Sequence, residues 1–319
     1  MRRRALLTFC LAALGVILLV IASSSSPVRA RSGLKIKIDW QPSPEYYGLY
    51  YARDLGFYRD AGFDVEIVPG SGAPQAAAEI GSGRFVMGTT TSDNILRLMG
   101  RKAEFSRLVA VLKFNPSVVV SLKSSGIRHL RDLEGKRLGT NPSASYYTQL
   151  LYVLRKPSIA AAGIIEDASI GFGGIRQLRE RSIDAMLAYT TNAVVDLQAD
   201  GIEVEEIFLG REGAESYGVV LAVASANAIR QAGLTDADVD RIIAATLRGY
   251  RVGGQDINRS VRILTREDPT IGLRKAELAI AKIGTLNSIT AYAPERLDRW
   301  VEGVGVTEEL RSAVLKLYR

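Results

Sequence analysis

The run Lys35–Val68, KIKIDWQPSPEYYGLYYARDLGFYRDAGFDVEIV, constrains this chain more than any other stretch. It begins with a short alternating segment, Lys35 to Ile38, that reads as a strand. A loop with an aromatic and two prolines follows, Asp39 to Pro44. An aromatic-rich helix is expected from about Glu45 to Ala61, and a second strand from Phe63 to Val68. This is a β-loop-α-β unit. Its first loop leaves the carboxyl end of a strand, the place where open α/β sheets bind ligands.

The rhythm continues. A helix is expected at Ala73–Gly81, a strand at Phe85–Thr90, a helix at Ser92–Met99 and a strand at Phe105–Phe114. Asn115-Pro116 breaks the pattern, and a strand resumes at Ser117–Leu122. Strands and helices then alternate again: Ile127–Leu133 helix, Arg137–Thr140 strand, Ser143 or Ser145 capping a helix to Lys156, Ala168–Phe172 strand, Gly174–Arg181 helix, Ile183–Tyr189 strand, Asn192–Ala199 helix and Val204–Leu209 strand. Alternation of this kind argues for parallel α/β sheets. After one more strand, Gly218–Ala224, the pattern is helical: about 236–252, 257–265, 273–283, 294–301 and 308–318, with Thr235, Asp256, Ala293 and Thr307 as caps. Such a tail has no sheet partners of its own, so it must pack on an earlier unit. The expected organisation is a discontinuous first lobe, 34–115 plus 218–319, and an inserted second lobe, 116–217. Two crossings make a hinge, and the cleft between lobes is the place for a ligand.

The first thirty residues read differently. Arg2, Arg3 and Arg4 precede an apolar run, Ala5–Ala22, interrupted only by Thr8 and Cys10; Ser23–Ser26 and Val28-Arg29-Ala30 follow. This is the pattern of a cleaved secretory signal, residues 1–30. The run approaches the ~20 residues that span a bilayer, so an uncleaved anchor is the alternative. Phe9 before Cys10 does not suit a lipoprotein site. The four arginines of this segment also account for more than half of the net charge of +7, leaving 37 basic against 34 acidic groups beyond it. No basic stripe is present, so nucleic acid is excluded as a partner.

Chemistry-bearing motifs are sparse. His129 is the sole histidine and reads as exposed; no cysteine follows Cys10; no phosphate loop or nucleophile elbow appears. No metal, cofactor or catalytic set is expected. The aromatics of the opening unit are dense, and Tyr47, Tyr51 and Tyr58 share one helical face that reads as core. Trp40 lies on the loop instead, where it can stack on a planar ring. Four predicted strands end in polar residues: Thr89-Thr90-Thr91-Ser92, Asn115, Thr140-Asn141-Pro142-Ser143 and Tyr189-Thr190-Thr191-Asn192. Singly each reads as a cap. Together they read as the neutral polar lining of a cleft.

Asp39-Trp40-Gln41-Pro42, Gly48-Leu49-Tyr50-Tyr51-Ala52, Gly56-Phe57-Tyr58 and Gly62-Phe63-Asp64-Val65-Glu66-Ile67 resemble the NMT1/THI5-like, thiamine-pyrimidine-precursor-binding family, related to the SsuA-type solute-binding proteins. Asp132–Gly139 and Ile183–Asn192 support the resemblance. It implies a type II periplasmic binding fold with a helical tail on lobe 1, a monomer exported to the periplasm, and an ABC permease and its ATPase as partners. It implies a small-molecule ligand, a pyrimidine-like heterocycle, held near Trp40, Thr90, Ser143 and the Tyr189–Asn192 loop; the reading of the first loop and the strand ends adds Pro42, Glu45, Tyr46, Thr91, Asn115 and Ser145 to the expected ligand-binding set. The alternatives are another solute (riboflavin-like, sulfonate or related), a pyrimidine-synthesising enzyme, or a sensor module. Members that consume their own histidine carry it in the first loop. Here Glu45, Tyr46 and Tyr47 stand there, and the cysteine-rich iron motif is absent, which argues against an enzyme. Ala193 stands where many members have a Glu after the Asn, and Glu45 is expected to supply that carboxylate from the other lobe.

Overall fold

The computed structural model describes residues 31–289, apart from 143, 158, 160–162 and 172, together with 312, 316 and 317. The expected signal segment, the tail helices beyond residue 289, and Ser143 lie outside the described residues. Among those described, no helix is long and apolar enough to cross a membrane.

Among the described residues, ten strands form two five-stranded sheets. The first contains β1 (Arg31–Lys37), β2 (Phe63–Val68), β3 (Met87–Thr90), β4 (Phe105–Leu112) and β10 (Val219–Ala224), in the order β2-β1-β3-β10-β4. The second contains β5 (Ser117–Leu122), β6 (Arg137–Gly139), β7 (Ile165–Asp167), β8 (Ala185–Tyr189) and β9 (Val204–Phe208), in the order β7-β6-β8-β5-β9. The two orders are equivalent. In each sheet three strands pair in parallel, and the strand that arrives directly from the other sheet, β10 or β5, pairs antiparallel on both sides. The chain crosses once between β4 and β5 and returns between β9 and β10. This is the two-lobed α/β architecture of the type II periplasmic binding proteins.

The helices are α1 (Tyr47–Asp54), α2 (Phe57–Asp60), α3 (Ala73–Gly81), α4 (Ser92–Met99), α5 (Ser145–Leu154), α6 (Ile175–Arg179), α7 (Ala193–Ala199), α8 (Ala226–Gln231), α9 (Asp236–Gln255), α10 (Ile257–Glu267) and α11 (Leu273–Ile289). Local chemistry accounts for several boundaries. The expected helix 45–61 is divided: a 3-10 turn at Pro44–Tyr46, then α1 and α2, separated at Gly56, whose φ of 78° is left-handed. The strand expected at 168–172 is displaced to β7. The Asp167 carboxylate accepts from Ser169 N (2.9 Å) and Ser169 Oγ (2.5 Å), and this side-chain turn ends the strand and starts a 3-10 turn at Ala168–Ile170. The expected helix 127–133 is a 3-10 turn at Leu130–Leu133. Ala144, not a serine, is the N-cap of α5. Thr235 is the N-cap of α9 as expected and forms a capping box with Asp238, and Asp256 accepts from Arg259 N at 3.2 Å to cap α10.

The helical tail packs on the first sheet's helices. The tyrosine face is core as expected: Tyr47, Tyr50, Tyr51 and Tyr58 are buried in one cluster with Ile242, Ile263 and Ile280. Tyr58 and Thr246 hydroxyls share a bond of 2.9 Å. A smaller cluster, around Val118 and Val194, lies within the second lobe. A third runs across both lobes, joining Ile95, Leu96 and Leu108 to Val119, Leu138 and Leu150.

Helices α1 and α9 meet through glycines. A Cβ on Gly249 would lie 2.1 Å from the Gly48 carbonyl oxygen, and one on Gly48 would lie 2.2 Å from the Tyr250 ring. Gly249→Ala gains ~0.8–1 kcal/mol of helix propensity. The obstructing atom is backbone, so both helices must part, and overpacking of this kind costs about 1–3 kcal/mol. The expected outcome is a net loss of stability, read as a lower urea midpoint than wild type. A midpoint at or above wild type would contradict the close approach.

Candidate functional site

The loop after β1 is fixed by a buried carboxyl. Asp39 is buried and accepts at Oδ1 from the Tyr46 hydroxyl (2.9 Å) and from Thr89 Oγ1, while its own N–H donates to Thr89 Oγ1 at 3.0 Å. One side chain thereby joins the end of β1, the end of β3 and the start of the helical segment. Burial, only partly offset by these bonds, raises the Asp39 pKa above its usual 3.8. Burial, with the neighbouring Asp39 and Glu45, raises the Tyr46 hydroxyl well above 10 and keeps it a donor.

The rest of the loop leans on Gly70. Gly70 N donates to the Trp40 carbonyl at 3.0 Å, and Gln41 Nε2 donates to the Gly70 carbonyl at 2.8 Å. A Cβ at Gly70 would sit 2.3 Å from the Ile38 carbonyl oxygen, so only glycine admits this approach. Glu45 is held at both ends. Its carbonyl accepts from the Tyr250 hydroxyl of α9 (2.8 Å), and its carboxylate accepts from Ser43 Oγ at 2.5 Å and from Thr191 Oγ1 of the second lobe.

These residues form one wall of a cavity of about 320 Å³ between the lobes, a volume at the small end of ligand sites. Asp39, Trp40, Ser43, Glu45 and Tyr46 line it from the first lobe. Tyr146, Gly173, Met186, Tyr189, Asn192 and Ala193 line it from the second. The Tyr146 and Tyr189 rings meet edge to face, with centroids 5.1 Å apart, and burial moves the Tyr146 hydroxyl up to about 12. The two crossings also border the cavity. Pro116 and Gly218 both line it, and a Cβ on Gly218 would lie 2.5 Å from Pro116 Cδ.

Of the residues singled out in the sequence, Trp40, Glu45, Tyr46, Tyr189 and Asn192 line the cavity. Pro42 lies in the same loop but is not among the lining residues. Thr90 is fully buried and its hydroxyl donates to the Ala73 carbonyl at 2.9 Å. Thr91 is the N-cap residue of α4 and accepts from Asn94 Nδ2 at 2.7 Å. Asn115 is a brace of the first crossing: Nδ2 donates to Gln149 Oε1 (2.8 Å) and the Ala214 carbonyl (2.6 Å), and Oδ1 accepts from Ser117 N (3.0 Å). Neither threonine nor Asn115 is among the lining residues. Ser145 is the first residue of α5, and Ser143 lies outside the described residues. Asp39, Ser43 and Tyr146 line the cavity although they are not among the site residues expected from the sequence. Among the described lining residues there are two carboxylates and no Lys, Arg or His. No group of three or more His, Cys, Asp or Glu suited to a metal occurs among the described residues.

The relatives match part of the chain. A 4-amino-5-hydroxymethyl-2-methylpyrimidine phosphate synthase of Schizosaccharomyces pombe is 27% identical over 101 residues, 32% of this chain and 29% of that protein. The chain thus spans about a third of the length of the pyrimidine phosphate synthases it matches, 29% to 34%. A thiamine biosynthesis protein of Haemophilus influenzae is 22% identical over 210 residues, 64% of this chain and 65% of that one. Among solved structures, the periplasmic aliphatic sulphonate binding protein SsuA of Escherichia coli superposes with a TM-score of 0.64 at 14% identity, over 88% of this chain and 91% of that one. The alkanesulfonate-binding protein SsuA of Xanthomonas axonopodis pv. citri, bound to MOPS, gives 0.58 at 15% identity, over 91% and 99%. These likenesses show the fold. The family described as NMT1/THI5 like matches residues 43–254, two thirds of the chain, and the chain belongs to that family.

Proposed function

We propose that this protein is an exported solute-binding protein that closes two lobes, 34–115 with 218–319 and 116–217, on a small aminated aromatic heterocycle and delivers it to an ABC permease and its ATPase. The observation that carries the substrate class is the charge of the cavity. Two carboxylates and four aromatic side chains line it, with no basic group among the described lining residues. A phosphate or sulfonate there would lose hydration and meet like charge, with no cation to compensate. An amino-substituted ring gains on both counts. Each oxygen of Glu45 accepts one hydroxyl and keeps acceptor capacity for an amine, and Trp40 offers a ring face. The favoured ligand is 4-amino-5-hydroxymethyl-2-methylpyrimidine without its phosphate, in keeping with the names of the matched relatives.

Binding by closure needs no covalent chemistry. His129 is exposed, lies outside the cavity lining, and has its backbone N–H bonded to Asp132 Oδ2 at 2.8 Å. Incubation of the protein with the pyrimidine should return it unchanged.

Titration calorimetry with this pyrimidine tests the reading. Trp40→Ala should weaken binding by about 1 kcal/mol or more, the contribution of one aromatic stack and its buried area. Glu45→Gln should weaken it about tenfold or more, through loss of a charge-assisted bond. The phosphorylated pyrimidine and alkanesulfonates should bind more weakly than the parent ring. Tighter binding of the anions would overturn the assignment.

Asp39 supplies a pH test. Its pKa is raised by burial, so the folded protein holds this proton more tightly than the unfolded chain does. The stabilisation it provides is therefore complete below the ordinary value of 3.8 and is lost as pH rises through the higher folded value. Asp39→Asn lacks this loss. The melting temperature of the variant relative to wild type should thus improve as pH rises above the ordinary value of 3.8. A difference independent of pH would show that Asp39 does not titrate in the fold.

A further inference from the structure

We infer that Lys275 is a positioning residue of this binding site, coupling closure of the lobes to the orientation of the Asn192 carboxamide. The inference rests on the reading of the cavity as a solute site. Lys275 is carried by α11, which belongs structurally to the first lobe. Ala276, Ile280 and Ile283 of α11 are buried in that lobe's core at helical spacing. At its far end Asn287 accepts from Lys113 N at 2.8 Å and donates to the Val111 carbonyl at 3.0 Å. The opposite edge of the helix faces the second lobe. Lys275 Nζ donates to Asn192 Oδ1 and to Asp196 Oδ2, both at 2.9 Å, and one heptad on Lys282 Nζ donates to Glu206 Oε1 at 2.6 Å.

The chemistry of the ammonium fixes the amide. A lysine only donates, so the atom of Asn192 that faces it must be the oxygen, and the NH2 is the group left to the other side. Asn192 is a lining residue of the cavity. Lys275 therefore makes the second lobe present a donor, opposite the acceptors Glu45 and Asp39 of the first. A ring with an acceptor on one edge and an amine on another matches this pair of walls. The contact exists only while α11 and α7 are close, so the donor is set by closure itself. Lys282 is a natural control: it makes a comparable bridge between lobes but does not touch Asn192.

The test compares Lys275→Met with Lys282→Met in the full chain. The Asn192 side-chain amide signals in 15N–1H spectra, assigned by their loss in Asn192→Asp, should move in Lys275→Met and stay in place in Lys282→Met. Affinity for 4-amino-5-hydroxymethyl-2-methylpyrimidine should fall by roughly tenfold or more in Lys275→Met, the scale of a charge-assisted hydrogen bond. In Lys282→Met it should fall less than about fivefold, because that ion pair leaves the Asn192 carboxamide untouched. Unmoved Asn192 signals in Lys275→Met, or equal losses of affinity in the two variants, would overturn the inference. The spectral comparison needs no ligand. A wild-type protein that ignores the pyrimidine would remove the proposed substrate while the amide signals still decide the role of Lys275.

Discussion

The Asp39 carboxyl is the contact on which the cavity depends. It sits where β1 ends and bonds at once to Thr89 at the end of β3 and to Tyr46 where the helical segment begins. Without it, three elements that converge on one point would have only backbone geometry to define their spacing. An unpartnered buried carboxylate would be costly. Here the two hydroxyls and the backbone N–H turn that cost into a restraint on the loop that carries Trp40 and Glu45. The burial that raises the Asp39 pKa and the shape of the cavity wall are therefore one fact seen twice.

The helical tail extends that restraint over more than two hundred residues of sequence. Gly48 and Gly249 let α1 and α9 approach closely enough for the Tyr250 hydroxyl to reach the Glu45 carbonyl. Tyr47 returns the contact by donating to the Tyr250 carbonyl at 2.9 Å, and the two rings pack edge to face with centroids 5.0 Å apart. The tail thus acts as a buttress for Glu45, one of the two carboxylate residues of the cavity wall. Its amphipathic helices have a place to pack because α1 offers a face of tyrosines rather than a second sheet.

Much of this was legible in the chain itself. The alternation of Phe63, Val65 and Ile67 with Asp64 and Glu66 is a half-buried strand, and it is one. Thr235 and Asp256 announce helix starts because their oxygens are the acceptors those ends require. Trp40, on a loop rather than a helix, could be separated from the tyrosine core. Which strand-end hydroxyls face the cavity could not be read. Thr90 and Thr191 are the same residue type in the same local setting, yet the first is consumed by the Ala73 carbonyl and the second reaches Glu45 across the cleft. That choice is made by the packing of α3 on β3, not by local sequence. Asp39 is not legible as part of the cavity for a related reason: an acid beside a turn ordinarily faces water, and only the placement of Thr89 fifty residues away makes it a buried hub.

The lobes are joined unequally around the cavity, and this bears on how closure can work. On one side an apolar cluster continues from Ile95 and Leu96 into Leu138 and Leu150, and parting the lobes there would expose hydrocarbon to water. On the α11 side the bridges are polar: Lys275 to Asp196 and Lys282 to Glu206, with Glu45 to Thr191 between the walls. Polar partners at a partly exposed surface exchange one another for water at small net cost. The crossings themselves approach closely where Gly218 faces Pro116. Rotation that keeps the apolar seam and breaks the polar one is therefore the least costly opening. It parts the cavity walls at Asn192 and Glu45, the donor and the acceptor of the proposed ligand site.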